Sequence, residues 1–226
     1  MTIFETIFDI SYLIFVITLG MMMIIKARDH QQYRLFGIMA IVLGLGDAFH
    51  LIPRVYSMWT TGFEANASIL GIGQMITSIT MTFFYIILYL VCLKRYQIKN
   101  HKPITWTLYG LAVLRIILCL LPQNNWRSVD APVSWGIYRN IPFAIMGLII
   151  IVLFFQKAKE DHEFRFMWLA ITLSFGFYIP VVLWAHIIPP IGALMMPKTL
   201  AYVWVVWMGF WEMKKKGFFN QHPKNE

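Results

Sequence analysis

Residues 69–93 read ILGIGQMITSITMTFFYIILYLVCL, and from Ile69 to Leu93 there is no Asp, Glu, Lys, Arg or His. A run of this length supplies the roughly 20 apolar residues with which an α-helix crosses the hydrocarbon core of a bilayer. Further charge-free runs lie at 35–46, 104–114, 141–155 and 167–185. Continued past single interruptions such as Asp47 and Arg115, each approaches the same length. The chain of 226 residues is 59% hydrophobic and only 13% charged, with a mean hydropathy of +0.64. A soluble domain cannot hide so many apolar faces from water. The pattern predicts an all-α polytopic membrane protein, one domain over 1–226, with seven transmembrane helices near 4–25, 35–53, 69–93, 104–121, 140–155, 167–188 and 197–213.

The net charge of +8 comes mostly from the connections between these spans. Lys26, Arg28 and Arg34 follow the first span, and Lys94, Arg95, Lys99 and Lys102 follow the third. Lys157, Lys159 and Arg165 follow the fifth, and Lys214, Lys215, Lys216 and Lys224 lie in the tail. All of these fall on one side, whereas the other has only Arg54, Arg127, Arg139 and Lys198. The positive-inside rule then predicts an outer N-terminus and a cytoplasmic C-terminus in the cell membrane. The basic balance is explained by topology and anionic lipid, and no nucleic-acid partner is predicted. The first apolar run has no basic residue before it, which fits an N-out helix better than a cleaved signal peptide. Cys92 and Cys119 fall at opposite depths, so no disulfide is expected between them.

Two stretches resemble each other. KARDHQQYR at 26–34 leads to HLIP at 50–53, and KAKEDHEFR at 157–165 leads to HIIP at 186–189. The matches keep their order and nearly their spacing, which predicts an internal repeat. The first triple-helix repeat would occupy 1–93, a connector with helix four and an outer loop 94–139, and the second repeat with a basic tail 140–226. Both triples would begin outside, so the repeats would be parallel. This 3+1+3 layout resembles that of the SWEET and PQ-loop transporters. The likeness is of layout alone: Pro122-Gln123 follows the fourth span, not the first helix of a triple. Residues 122–140, PQNNWRSVDAPVSWGIYRN, read as a long outer loop, either a functional lid or an interfacial cap with Trp126, Trp135 and Tyr138 at headgroup level.

GDAFHLIPR at 46–54 carries the strongest local signal. Asp47, His50 and Arg54 recur at helical intervals and form one stripe in the outer part of span two. Ionisable groups there face a bundle interior or a watery cavity, so the stripe is either a site or a lock between helices. Gly44 and Gly46 allow close helix approach, and Pro53 frees the carbonyl of Phe49. Asp47 would orient His50 as a proton acceptor or metal ligand. His186, at the end of span six, would face the same cavity if it is the counterpart of His50. Asp47, His50 and His186 are the one set available for zinc, and without a ligand spacing no metal cofactor is predicted.

Other polar residues reach the same depth: Gln74, Ser78 and Tyr85 on span three, Arg115 on span four, and Arg139 and Asn140 at the start of span five. Tyr178 on span six and Lys198 with Tyr202 on span seven complete the set. Arg115 cannot shed its charge and must find an acceptor or an anion. With Asp47 the one acid at this depth beyond span one, the cavity is expected to be net positive and to bind an anion such as a carboxylate, phosphate or lipid headgroup. Tyr178 and Pro180 predict a bend in span six like the one at Pro53.

GDAFHLIPR also resembles the Gly-Asp-x-x-apolar-Leu-x-Pro segment of the lysoplasmalogenase family, membrane enzymes that cleave the vinyl-ether bond of lysoplasmalogens. That likeness covers one helix. The further acid in that family's C-terminal helices has no match here, since spans five to seven hold none before Glu212. Two functions follow. One is binding and transport of a small anionic solute, with His50 and His186 as proton-sensitive ligands. The other is an intramembrane lipid-modifying enzyme with Asp47 and His50 as catalytic centre and Arg54 and Arg115 holding a headgroup. The partners implied are the lipid bilayer and a small-molecule or lipid ligand.

Overall fold

A computed structural model describes residues 2–98 and 102–219. Lys99 and Lys224, both placed on the basic side from sequence, lie outside the described residues. The protein is a multi-pass helical membrane protein: seven of its helices are long and apolar enough to cross a membrane, and no strand occurs among the described residues. They are α1 (Thr2–Ala27), α2 (Gln31–Trp59), α4 (Ala67–Arg95), α5 (Lys102–Leu120), α6 (Val133–Lys157), α7 (Met167–Trp184) and α8 (Met195–Lys215). A short helix, α3 (Gly62–Ala65), lies in the turn between α2 and α4.

Each long helix packs against its neighbours in the chain, and α1 also meets α8, so the bundle closes into a sequential ring. Across the ring α2 touches α8 and α4 touches α6. Alternation of helix direction puts the starts of α1, α4, α6 and α8 at one end with the ends of α2, α5 and α7. We call this end the N-terminal face.

The tightest seams use small residues, because lipid gives apolar helices no reason to associate beyond close packing and hydrogen bonds. Gly44 lies against Ile17 of α1, whereas Gly46 lies against Thr80 of α4. Thr77 Oγ1 donates to the carbonyl of Gly46 (2.8 Å). The two glycines of α2, two residues apart, thus serve two different neighbours. Pro53 sits inside α2 and leaves the carbonyl of Phe49 without its usual donor. Gly73 of α4 packs directly on that carbonyl, where any Cβ would overlap it. The helix runs on past Pro53 to Trp59, beyond the sequence limit of 53, with Ser57 Oγ donating to the Pro53 carbonyl (2.7 Å).

Two other boundaries correct the sequence reading. Residues 122–140 are not one loop, because α6 starts at Val133 directly after Pro132 and carries Trp135, Tyr138, Arg139 and Asn140 in its first turns. The shorter loop is a cap on α5. Asn124 Nδ2 donates to the carbonyls of Leu118 (2.7 Å) and Leu121 (2.8 Å), and Trp126 Nε1 donates to Cys119 (2.8 Å). These satisfy carbonyls that a helix C-terminus leaves unpaired. At the other boundary α7 stops at Trp184 instead of 188. Pro189 and Pro190 disfavour helix in the residues before them, and Ile188 is extended (φ −124°, ψ 84°) ahead of a 3₁₀ segment, Pro189–Leu194.

The middle of the bundle is an aromatic core: Tyr85 packs against Phe84, Phe143 and Phe175, and Phe84 against Tyr202. Below it, at the end opposite the N-terminal face, lies an ion network absent from the sequence reading. Arg95, the last residue of α4, pairs with Asp161 between α6 and α7 and with Glu212 of α8 (2.7 Å). Its guanidinium also lies 3.8 Å from the ring centre of Phe164. Lys216 pairs with Glu212 (2.9 Å), Lys215 with Glu163 (2.7 Å), and Tyr96 donates to Asp161 (2.8 Å). Burial pushes the Asp161 carboxyl up, but the hydrogen bonds from Arg95 and Tyr96 outweigh it and hold the group below its usual value.

Candidate functional site

A cavity of about 680 Å³ opens at the N-terminal face, within the range usual for small-molecule sites. Ten of the thirteen polar residues that the sequence places at this depth line it. Asp47, His50 and Arg54 reach it from α2, Gln74 from α4, Arg115 from α5, Arg139 from α6, Tyr178 from α7 and Lys198 from α8. Ser78 and Tyr202 also line it. The stripes that place them follow from helical spacing, and the ring brings all seven long helices around one hollow.

Tyr85 and Asn140 are not among the lining residues, and neither is His186. His186 lies past the end of α7, exposed. The expected pairing of His50 and His186 across the cavity therefore does not form. The cause is the Pro189-Pro190 pair, which ends α7 before His186 can continue its inner face. Among the described residues no three His, Cys, Asp or Glu side chains converge as a metal-binding group.

Two lining acids went unread in the sequence. Glu5 and Asp9 of α1 line the cavity, and neither is among the candidates named from the sequence. Glu5, Asp9 and Tyr12 recur at helical intervals, and that stripe was the available signal. The cavity then holds three carboxyls, Glu5, Asp9 and Asp47, against four cations, Arg54, Arg115, Arg139 and Lys198. The positive excess is smaller than the sequence implied.

The charges differ sharply in their partners. At the more exposed edge Arg54 pairs with Glu5 (3.2 Å). Arg139 donates to Asn124 Oδ1 (2.9 Å) and stacks over Trp126. Asp47 is buried and accepts a hydrogen bond from Tyr12 on its Oδ2 (2.7 Å). Asp47 and His50 share no hydrogen bond among the described residues, and the buried His50 Nδ1 has no partner there.

Arg115 stands apart. It is 2% exposed, and its Nε and Nη1 have no hydrogen-bond partner among the described residues. No acid among the described residues lies within ion-pair distance of it. The face of Phe143, 3.4 Å from the guanidinium carbon, holds it in place. Lys198 is nearly as buried, at 8% exposure, with its ammonium 5.1 Å and 5.4 Å from the rings of Tyr178 and Tyr202. Tyr202 also lines the cavity, and its hydroxyl approaches that of Tyr85 in the aromatic core (3.4 Å). Comparison with known proteins finds no matching family, no similar curated protein and no similar solved structure.

Proposed function

We propose that this protein is a carrier of the cell membrane, with its N-terminus outside, that binds a small anionic solute in the cavity and passes it across the bilayer. The observation that supports this best is Arg115. A guanidinium keeps its charge at any physiological pH. Burying it with Nε and Nη1 unpaired and no acid beside it costs several kcal/mol, roughly what an incoming anion would offset. A carboxylate or phosphate would accept from the free Nε and Nη1 together, as a fork. Lys198 adds a second buried charge.

Transport, beyond binding, is supported by the two ends of the bundle. The N-terminal face is hollow, while the other is tied shut by Arg95, Asp161, Glu212 and Lys216. Alternating access needs one end sealed while the other is open. The basic residues around that sealed end, from Lys26 to Lys214, support its placement in the cytoplasm. A duplicated 3+1+3 origin is in keeping with the packing order, since α1–α2–α4 and α6–α7–α8 each pack in sequence and α5 joins them. KARDHQQYR and KAKEDHEFR then each join the first helix of a triple to the second. In this reading His50 lines the anion site, and its Nδ1 has no partner among the described residues.

The test is a thermal-stability screen of the purified protein against carboxylates, phosphates, cations and neutral solutes, followed by counterflow in proteoliposomes. One anion class should raise the melting temperature by several degrees at saturation and exchange across the membrane. Arg115→Gln should abolish both. Stabilisation by neutral solutes or cations alone, or an anion effect unchanged in Arg115→Gln, would remove the basis for this reading.

A further inference from the structure

A second hollow adjoins the cavity. It is an apolar groove of about 180 Å³ along the seam of α6 and α7, lined among others by Ile137, Ile141, Ala144, Phe175, Ile179 and Leu183. Its rim lies on the perimeter of the bundle, where Ile141 is 50% and Ile179 43% exposed. In a bilayer that exposure is to acyl chains. Deeper along the seam the groove closes, because Phe175 sits on Gly147 where any Cβ would overlap its ring.

Groove and cavity share a wall: Phe143, Tyr178 and Val182 line both. On the cavity side, Phe143 carries the Arg115 guanidinium and the ring of Tyr178 faces the Lys198 ammonium. On the groove side, the Tyr178 hydroxyl donates to Asn140 Oδ1 (3.1 Å). This is the one side-chain hydrogen bond between α6 and α7 among the described residues. Buried cations and a lipid-facing slot are thus separated by the thickness of two rings and a valine.

We propose that the anion taken by the cavity is the head of a single-chain amphiphile, a fatty carboxylate or a lysophospholipid, which enters from the leaflet through the α6–α7 seam. This rests on the anion-binding reading and narrows it. The head meets Arg115 and Lys198 while the chain stays in the groove and never leaves an apolar medium. The head therefore supplies the whole of the selectivity, and the seam opens by parting Tyr178 from Asn140. The groove spans residues 137–144 of α6, about 10 Å of helix, and its volume of about 180 Å³ takes part of one chain and leaves no place for a second beside it.

The experiment uses the full chain in phosphatidylcholine nanodiscs and hexadecanoate bearing a mid-chain diazirine. Photolabelled peptides are mapped in the wild type, in Arg115→Gln, and in Ile141→Trp, which fills the groove from a lipid-facing position. Gel filtration confirms that each variant is folded. Label should concentrate on residues 137–144 and 175–183 and fall about tenfold or more in both variants. Competition by unlabelled hexadecanoate identifies a fatty acid as the source of the head, and competition by lysophosphatidate a phospholipid. A neutral monoacylglycerol should not compete. Label that persists in Arg115→Gln and ignores anionic competitors is bulk lipid and overturns the proposal. If soluble carboxylates stabilise wild type and Ile141→Trp alike while this label is absent, the small-anion reading stands and the amphiphile falls. If neither anion nor amphiphile depends on Arg115, both fall.

Discussion

Tyr12 and Asp47, on neighbouring helices and 35 positions apart, share a 2.7 Å hydrogen bond in which the phenol donates to the buried carboxyl. The bond ties α1 to α2 beside the cavity and fixes the direction of the remaining acceptor of Asp47. It also joins two elements that the sequence left unrelated.

Tyr12→Phe removes the donor and little else. The net contribution of such a bond is about 1 kcal/mol, and leaving the buried oxygen unpaired adds to the loss. The melting temperature in detergent should fall by several degrees, and Asp47→Asn should fall likewise. A double-mutant cycle should return a coupling of about 1 kcal/mol or more. Simple additivity would show that the bond does not contribute.

Arg115→Met should act in the opposite sense on stability. It replaces a buried charge whose Nε and Nη1 are unpaired with an unbranched apolar side chain that keeps the stem and ends short of the guanidinium's place over Phe143. Such replacements are neutral or stabilising by roughly 1–4 kcal/mol. The ligand-free variant should therefore melt no lower than the wild type, while anion-dependent stabilisation disappears. A large loss of stability without ligand would mean that the guanidinium has a structural partner.

Arg95→Ala should be the most damaging surface-proximal change, because it removes the cation shared by Asp161 and Glu212, whose side chains are 9% and 2% exposed, and leaves them only Tyr96 and Lys216 as side-chain partners among the described residues. Removing one partner of a buried pair costs about 3–5 kcal/mol. Equilibrium unfolding of the reconstituted protein would measure it.

The same network sets a pH window. The folded value of Asp161 is depressed, so its contribution is fully present above the ordinary aspartate value near 3.8 and is lost as pH falls through the lower folded value. Glu163, hydrogen-bonded by Lys215, is depressed in the same direction. Melting temperature should hold down to about pH 4 and decline below it. Asp161→Asn should start lower and show a shallower acid decline.

Gly73→Ala introduces a methyl group against the Phe49 carbonyl and should cost about 1–3 kcal/mol through overpacking. Gly110 of α5, with nothing within 4 Å of its Cβ direction, is the control. Gly110→Ala should be neutral or slightly stabilising in the same melting assay.

The apolar runs determined the seven helices, because crossing a bilayer demands length and hydrophobicity that residues 69–93 declare without any tertiary information. Helical spacing likewise determined that Asp47, His50 and Arg54 share a face. Alternation of direction determined that Arg115, Arg139, Tyr178 and Lys198 lie at the same end. What only the tertiary structure decided was which of these groups find partners. Burial and pairing depend on how the ring closes, so Arg115 is left open while Arg95, another basic residue in the sequence, is locked by Asp161 and Glu212. Closure of α1 onto α8 brings Glu5 and Asp9 into the cavity. Two prolines end α7 early and turn His186 out of it. Local chemistry names the candidates, and three-dimensional packing decides which charges remain for a ligand.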